Sequence, residues 1–147
     1  MRPYDHPRAV RALGWILAVA VVVSLVHYTD NYVNYDDFPQ ATTGPNPSAS
    51  VVLPAWFAFT AAGLAGYLLF RRGPSDLALL LLAAYAVSGL IGIGHYLVPG
   101  ATSMPWWRQL SVGLDFASGI AVVSFAIWAT RARRRDQVSP TSHQVPQ

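Results

Sequence analysis

Four long apolar runs, set apart by short polar segments, organise the chain. They cover about residues 12–29, 51–70, 77–98 and 109–130, and histidine aside the one charged residue inside any of them is Asp115. Each is close to the roughly 20 residues a helix needs to cross about 30 Å of hydrocarbon. Backbone polar groups in such a medium must bond within their own segment, so runs of this length predict helices rather than strands. The expected fold class is all-α, an integral membrane four-helix bundle forming one domain over residues 1–135. The tail 136–147, DQVSPTSHQVPQ, has nothing to bury and is expected to be disordered.

Composition sharpens this picture. Of 147 residues, 53% are hydrophobic and 12% charged, about half the charged fraction of an ordinary soluble domain. A disordered protein, a nucleic-acid binder and an ordinary soluble enzyme are excluded on that ground. The absence of cysteine excludes disulfide scaffolds, thiolate metal sites and thiol nucleophiles. All basic residues are arginine and all acidic ones aspartate; with the richness in Ala, Val and Gly this suggests a GC-rich bacterial genome, and hence a bacterial inner (cytoplasmic) membrane.

The arginines also set an orientation. Arg2, Arg8 and Arg11 precede the first run, Arg71 and Arg72 join the second to the third, and Arg131, Arg133, Arg134 and Arg135 follow the fourth. Arg108 alone falls on the other side. The positive-inside rule then places the N- and C-termini in the cytoplasm. No small-x-small cleavage site follows the first run, which ends His27-Tyr28-Thr29-Asp30, so the first helix is expected to stay uncleaved. Arg72-Gly73-Pro74 predicts a tight turn, with Ser75 or Asp76 capping the third helix. Glycines recur in the second, third and fourth runs, as close helix packing in lipid requires.

Ionisable groups inside such runs cost a few kcal/mol and need a reason. The candidates are His27 and Asp30 late in the first helix, His95 late in the third and Asp115 in the fourth. Because Cα–Cβ bonds tilt toward a helix's N-terminus, the two histidines lean into the membrane and Asp115 leans outward, toward a common level. His27, Asp30 and Asn31 share one helical face, as do Ser88, Gly92 and His95, and Ser111, Asp115 and Ser118. Together these stripes predict an outward-facing polar pocket. There His27, Asp30, His95 and Asp115 are the catalytic candidates, and Asn31, Tyr96, Ser88, Ser111 and Trp56 are candidates for binding a ligand. A carboxylate beside an imidazole can shuttle a proton, and aromatic walls can stabilise a cationic group. A purely structural role is the alternative, with Asp115 bonded to His95 or Arg108 to fix helix register.

The stretch Val26-His27-Tyr28-Thr29-Asp30-Asn31, with Gly92-Ile93-Gly94-His95-Tyr96 and Asp115, resembles the EXPERA group, which includes the emopamil-binding sterol isomerases. The resemblance covers helices one, three and four. It implies a sterol- or lipid-like ligand in an intramembrane cavity, with isomerisation as the family's activity. The pattern departs from the family in two places. Asp30 follows His27 by three residues rather than four, with Asn31 in the fourth place, and His95 stands where the family has a third-helix acid. The DoxX-like proteins are comparable in architecture alone.

Three other readings stay open. His27 and His95 at matching depth could be axial ligands of a haem, as in membrane b-type cytochromes. His27, Asp30, His95 and Asp115 could hold a Zn, Mn or Fe ion, although no helix carries the Glu-x-x-His pattern of di-iron bundles. The chain could also be a non-enzymatic accessory subunit packed against a larger membrane complex. Expected partners are membrane lipids and a small hydrophobic ligand, with no nucleic acid. The arginine cluster 131–135 is read as a topology signal in contact with anionic headgroups. Only one level of polar residues is visible, and no relay continues through the cytoplasmic half, where Thr60 and Ser124 are the main hydroxyls.

Overall fold

The computed structural model describes residues 5–40 and 46–138, with side chains through 135. Every regular element among them is helical. Helix α1 runs His6–Val33, α2 Ala49–Arg72, α3 Asp76–Ile91 and α4 Trp106–Val138. Helices α1, α2 and α4 exceed the predicted runs at both ends, whereas α3 starts one residue before its run and stops early. All four spans are long and apolar enough to cross a membrane, counting α3 with its continuation to Leu97. The expected disordered tail begins too soon, because α4 continues through 136–138; residues 139–147 and part of the first long loop, 41–45, lie outside the described residues.

Local chemistry sets the helix ends. Asp5 caps α1 by accepting from the Arg8 amide at 3.1 Å, with Pro7 in the first turn, where its missing N–H costs nothing. The Ser75 hydroxyl caps α3 by accepting from the Ala78 amide at 3.2 Å, as its place in the sequence predicts. Gly73, at φ +152°, makes the preceding turn. The third span does not finish as an α-helix: residues Gly92–Leu97 tighten into a 3-10 helix. Six residues is long for that form, which usually stops after three or four. Two glycines at Gly92 and Gly94 weaken α propensity there, and Gly100, at φ +86°, then turns the chain toward α4.

The helices pack in a ring, α1 against α2, α2 against α3, α3 against α4 and α4 back against α1, running alternately up and down. Because all four are apolar nearly all round, hydropathy does not say which face is interior. The buried face of α1 is Ala9, Leu13, Leu17, Ala20, Ser24 and His27, a three-four spacing with several small members. Its large apolar residues face outward: Trp15 is 75% exposed and Val22 62%. On α2, Phe57 is likewise 64% exposed while Gly63 and Gly66 are buried. Small residues inside and bulky ones outside let the backbones approach closely. The tightest approach is between α3 and α4, where a Cβ on Gly89 would lie 2.5 Å from the Asp115 carbonyl oxygen and one on Gly119 would lie 2.8 Å from that of Ala86.

The two ends of the bundle differ. At one, His6 lies beside Phe70, and Arg133 bridges from α4 to Asp76 and to the Pro74 carbonyl. All the described arginines but one lie toward this end. Arg108 is the exception, at the opposite end with His27, His95 and the 3-10 segment.

Candidate functional site

The last two turns of α1 present His27, Asp30, Asn31 and Asn34 at i, i+3, i+4 and i+7, one polar face turned toward α3 and α4. A 3-10 turn, Tyr35–Asp37, follows and folds Phe38 back over this face, leaving that ring 2% exposed. Phe38 covers both imidazoles, with ring centres 6.1 Å from His27 and 5.0 Å from His95.

Arg108 is the hub of the cluster. It enters from the first turn of α4 and is 4% exposed. Its Nε donates to Asp30 Oδ2 at 2.9 Å and its Nη2 to Asp30 Oδ1 at 3.3 Å, a two-pronged pairing that suits the planar guanidinium. Nη2 also reaches Asp37 Oδ2 at 3.4 Å, and Nη1 the Asp37 carbonyl at 3.4 Å. The guanidinium lies 4.6 Å from the Phe38 ring centre and 5.0 Å from that of Trp107, in cation–π range. Asn34 donates to Asp30 Oδ1 at 2.7 Å, which completes the carboxylate's shell. Asp30 is thus committed to closing one end of the bundle and does not face an open space.

Beneath this lid the two imidazoles meet. Their ring centres are 5.5 Å apart and the rings nearly perpendicular. The Asn31 side-chain amide lies within hydrogen-bond distance of His95 Nε2, at 3.1 Å. His27 is 3% exposed and its Nδ1 is buried with no hydrogen-bond partner, while His95 is half-buried. The edge of the site nearest solvent therefore lies at the 3-10 segment, not at α1.

The structure brings together His27, His95 and Asn31, with Asp30 alongside. It does not bring in Asp115, which is 2% exposed within the bundle and within electrostatic reach of Tyr28 and Tyr85. Asp115 makes no hydrogen bond to either imidazole, and the Arg108 partner is Asp30. The expectation that Asp115 bonds His95 or Arg108 is corrected accordingly: side-chain tilt narrows the depth gap of two helical turns without closing it. The other expected ligand-binding residues bond the backbone or, in the case of Trp56, a serine of α1. Ser88 Oγ donates to the Tyr85 carbonyl and Ser111 Oγ to that of Arg108, while Tyr96 donates to that of Gln109 and the Trp56 indole to Ser24 Oγ. Sequence reasoning missed Phe38 altogether and the pairing of Arg108 with Asp30 and Asp37. Arg108 carried a signal, as the only basic residue on a side otherwise supplied with aspartates.

The geometry does not suit a haem iron between the two histidines. An atom bonded to both rings at about 2 Å would hold their centres about 6 Å apart, with a macrocycle between them. Here they are closer, Phe38 fills the flank and Asn31 occupies His95 Nε2. Among the described residues, no group of three or more His, Asp, Glu or Cys side chains is placed to hold a metal ion. Beside the cluster lies an open depression of about 410 Å³ lined by Tyr32, Asn34, Tyr35, Asp36 and Asp37 among others. Comparison with family models, curated proteins and solved structures finds no match.

Proposed function

We propose that this chain is a multi-pass membrane protein, with both termini in the cytoplasm, that binds a lipid-like hydrophobic ligand at the His27–His95 site near its outer surface. Four apolar spans, bulky residues facing outward and nine of ten arginines on one side support the membrane placement and the orientation. The observation that carries the ligand reading is the His27 ring, enclosed yet with Nδ1 unpartnered, set edge-on to an imidazole that Asn31 holds in place. A buried polar atom with no partner is uncommon, and the neighbouring His95 is only half-buried. In this reading the ligand's polar head engages the two imidazoles, which can also exchange a proton with it, and its apolar body lies along the bundle. The Asp30–Arg108 pair shapes the rim. The resemblance of the His27–Asn31 stretch to the EXPERA group favours a sterol- or lipid-like chemical class.

Native mass spectrometry of the full chain, extracted with its surrounding lipid in a mild detergent, tests this. The wild type is expected to retain a lipid-sized adduct that His27→Phe and His95→Phe lose while keeping their helical circular dichroism. Equal retention by all three proteins overturns the reading.

A further inference from the structure

Asp115 is a second, deeper feature that the ligand site does not use. Its side chain is 2% exposed, and Oδ2 is buried with no hydrogen-bond partner. The carboxyl cannot readily move out, because the α4 backbone at this residue rests directly on Gly89 of α3. The phenols of Tyr28 on α1 and Tyr85 on α3 lie within electrostatic reach, yet the Tyr28 hydroxyl donates to the Ser88 carbonyl at 3.2 Å. None of the cationic candidates at this end answers the carboxylate: Arg108 is taken by Asp30 and Asp37, and neither imidazole hydrogen-bonds it. On α2, the Thr60 hydroxyl is also buried without a partner.

A carboxylate enclosed in this way costs several kcal/mol unless something compensates it. What is missing is one positive charge. A divalent metal needs more anionic or imidazole ligands, and among the described residues none gather here. An organic cation needs space, which the backbone contact of α3 with α4 at Gly89 and Gly119 denies. We infer that Asp115 anchors an internal site for one small monovalent cation, a proton or a sodium ion, with the Tyr28 and Tyr85 phenols within electrostatic reach. Access is from the Arg108 end, where the His27 ring lies 5.6 Å from that of Tyr28 and 5.5 Å from that of His95. Toward the arginine-rich end, Leu13, Phe70, Leu82 and Val122, none measurably exposed, seal the bundle. The site therefore fills and empties through one face, as a reservoir and not a passage. This goes beyond the ligand reading and stands whether or not a lipid binds at His27.

The test uses the full chain in detergent, treated with dicyclohexylcarbodiimide, which adds an undissociated carboxyl across its C=N bond. Peptide mass spectrometry locates the adduct after reaction in choline chloride or in sodium chloride. A single adduct on Asp115 in choline is expected, with the exposed Asp36 unmodified as internal control. If sodium abolishes the adduct, the occupant is sodium; if sodium leaves it unchanged, the occupant is a proton; either result supports the site. Infrared spectra in the same media check this independently, through a carboxylic-acid carbonyl band that Asp115→Asn removes. Absence of both the adduct and the band in both media overturns the inference. Because mapping is done on the wild type, the adduct result does not depend on that variant folding.

Discussion

Removing Arg108 should leave Asp30 as an uncompensated charge in a covered site. The Arg108 side chain is 5% exposed and that of Asp30 10%, so neither is rescued by bulk water. Breaking such a pair from one side typically costs about 3–5 kcal/mol, much of it the penalty on the charge left behind. The Asp37 contact adds little, since that side chain is 67% exposed and exposed pairs contribute about 0–1 kcal/mol. Arg108→Met is therefore expected to lose about 3–5 kcal/mol, and Asp37→Asn under about 1 kcal/mol. The double change Asp30→Asn with Arg108→Met should recover most of the loss, because the remaining groups are neutral and Asn34 can still bond at position 30. Unfolding by sodium dodecyl sulfate in mixed micelles, followed by far-ultraviolet circular dichroism, measures all three. A loss below about 1 kcal/mol for Arg108→Met, or a double variant no better than the single one, refutes the reasoning.

Further outcomes follow from the same geometry. Gly89→Ala should destabilise by about 1–3 kcal/mol in the same titration, since the new methyl meets backbone that cannot give way, whereas Gly113→Ala, with nothing within 4 Å, should be neutral or stabilising by up to about 1 kcal/mol. Ser75→Ala removes the α3 cap and should cost about 1 kcal/mol. Without native cysteine, single-cysteine labelling is free of background. In intact cells Ser103→Cys should react with a membrane-impermeant maleimide, and Arg134→Cys only after permeabilisation. The reverse pattern would invert the proposed orientation.

The four helices were legible because length and hydropathy act over twenty residues at a time, and no local detail can undo them. The helix ends at Ser75 and Gly73 were legible for a different reason: their chemistry is local. Which face of each helix turns inward was not, since Leu17 and Val22 read alike in hydropathy yet one is buried and the other exposed. The end of the third span was missed because a 3-10 continuation of an α-helix keeps the same residues in the same order. The largest omission was Arg108. Counted as one arginine against nine, it oriented the chain and was offered only Asp115 as a partner, whereas its partners are Asp30 on another helix and Asp37 just beyond it. Asp115 was correctly placed facing inward. Its isolation from the histidines depends on two turns of helix and on the close crossing at Gly89, neither of which a residue pattern reveals.

The overwound end of the third span has a mechanical consequence. An α-helix turns about 100° per residue and rises about 1.5 Å, against about 120° and 2.0 Å in the 3-10 form. Over the four steps from Ile91 to His95, rewinding to α would swing the imidazole by about 80° and retract it by about 2 Å. That would carry it off Asn31 and away from the other ring. Whether the two histidines face each other is thus set by the pitch of a four-residue stretch containing two glycines, a ratchet that needs no movement of the bundle itself.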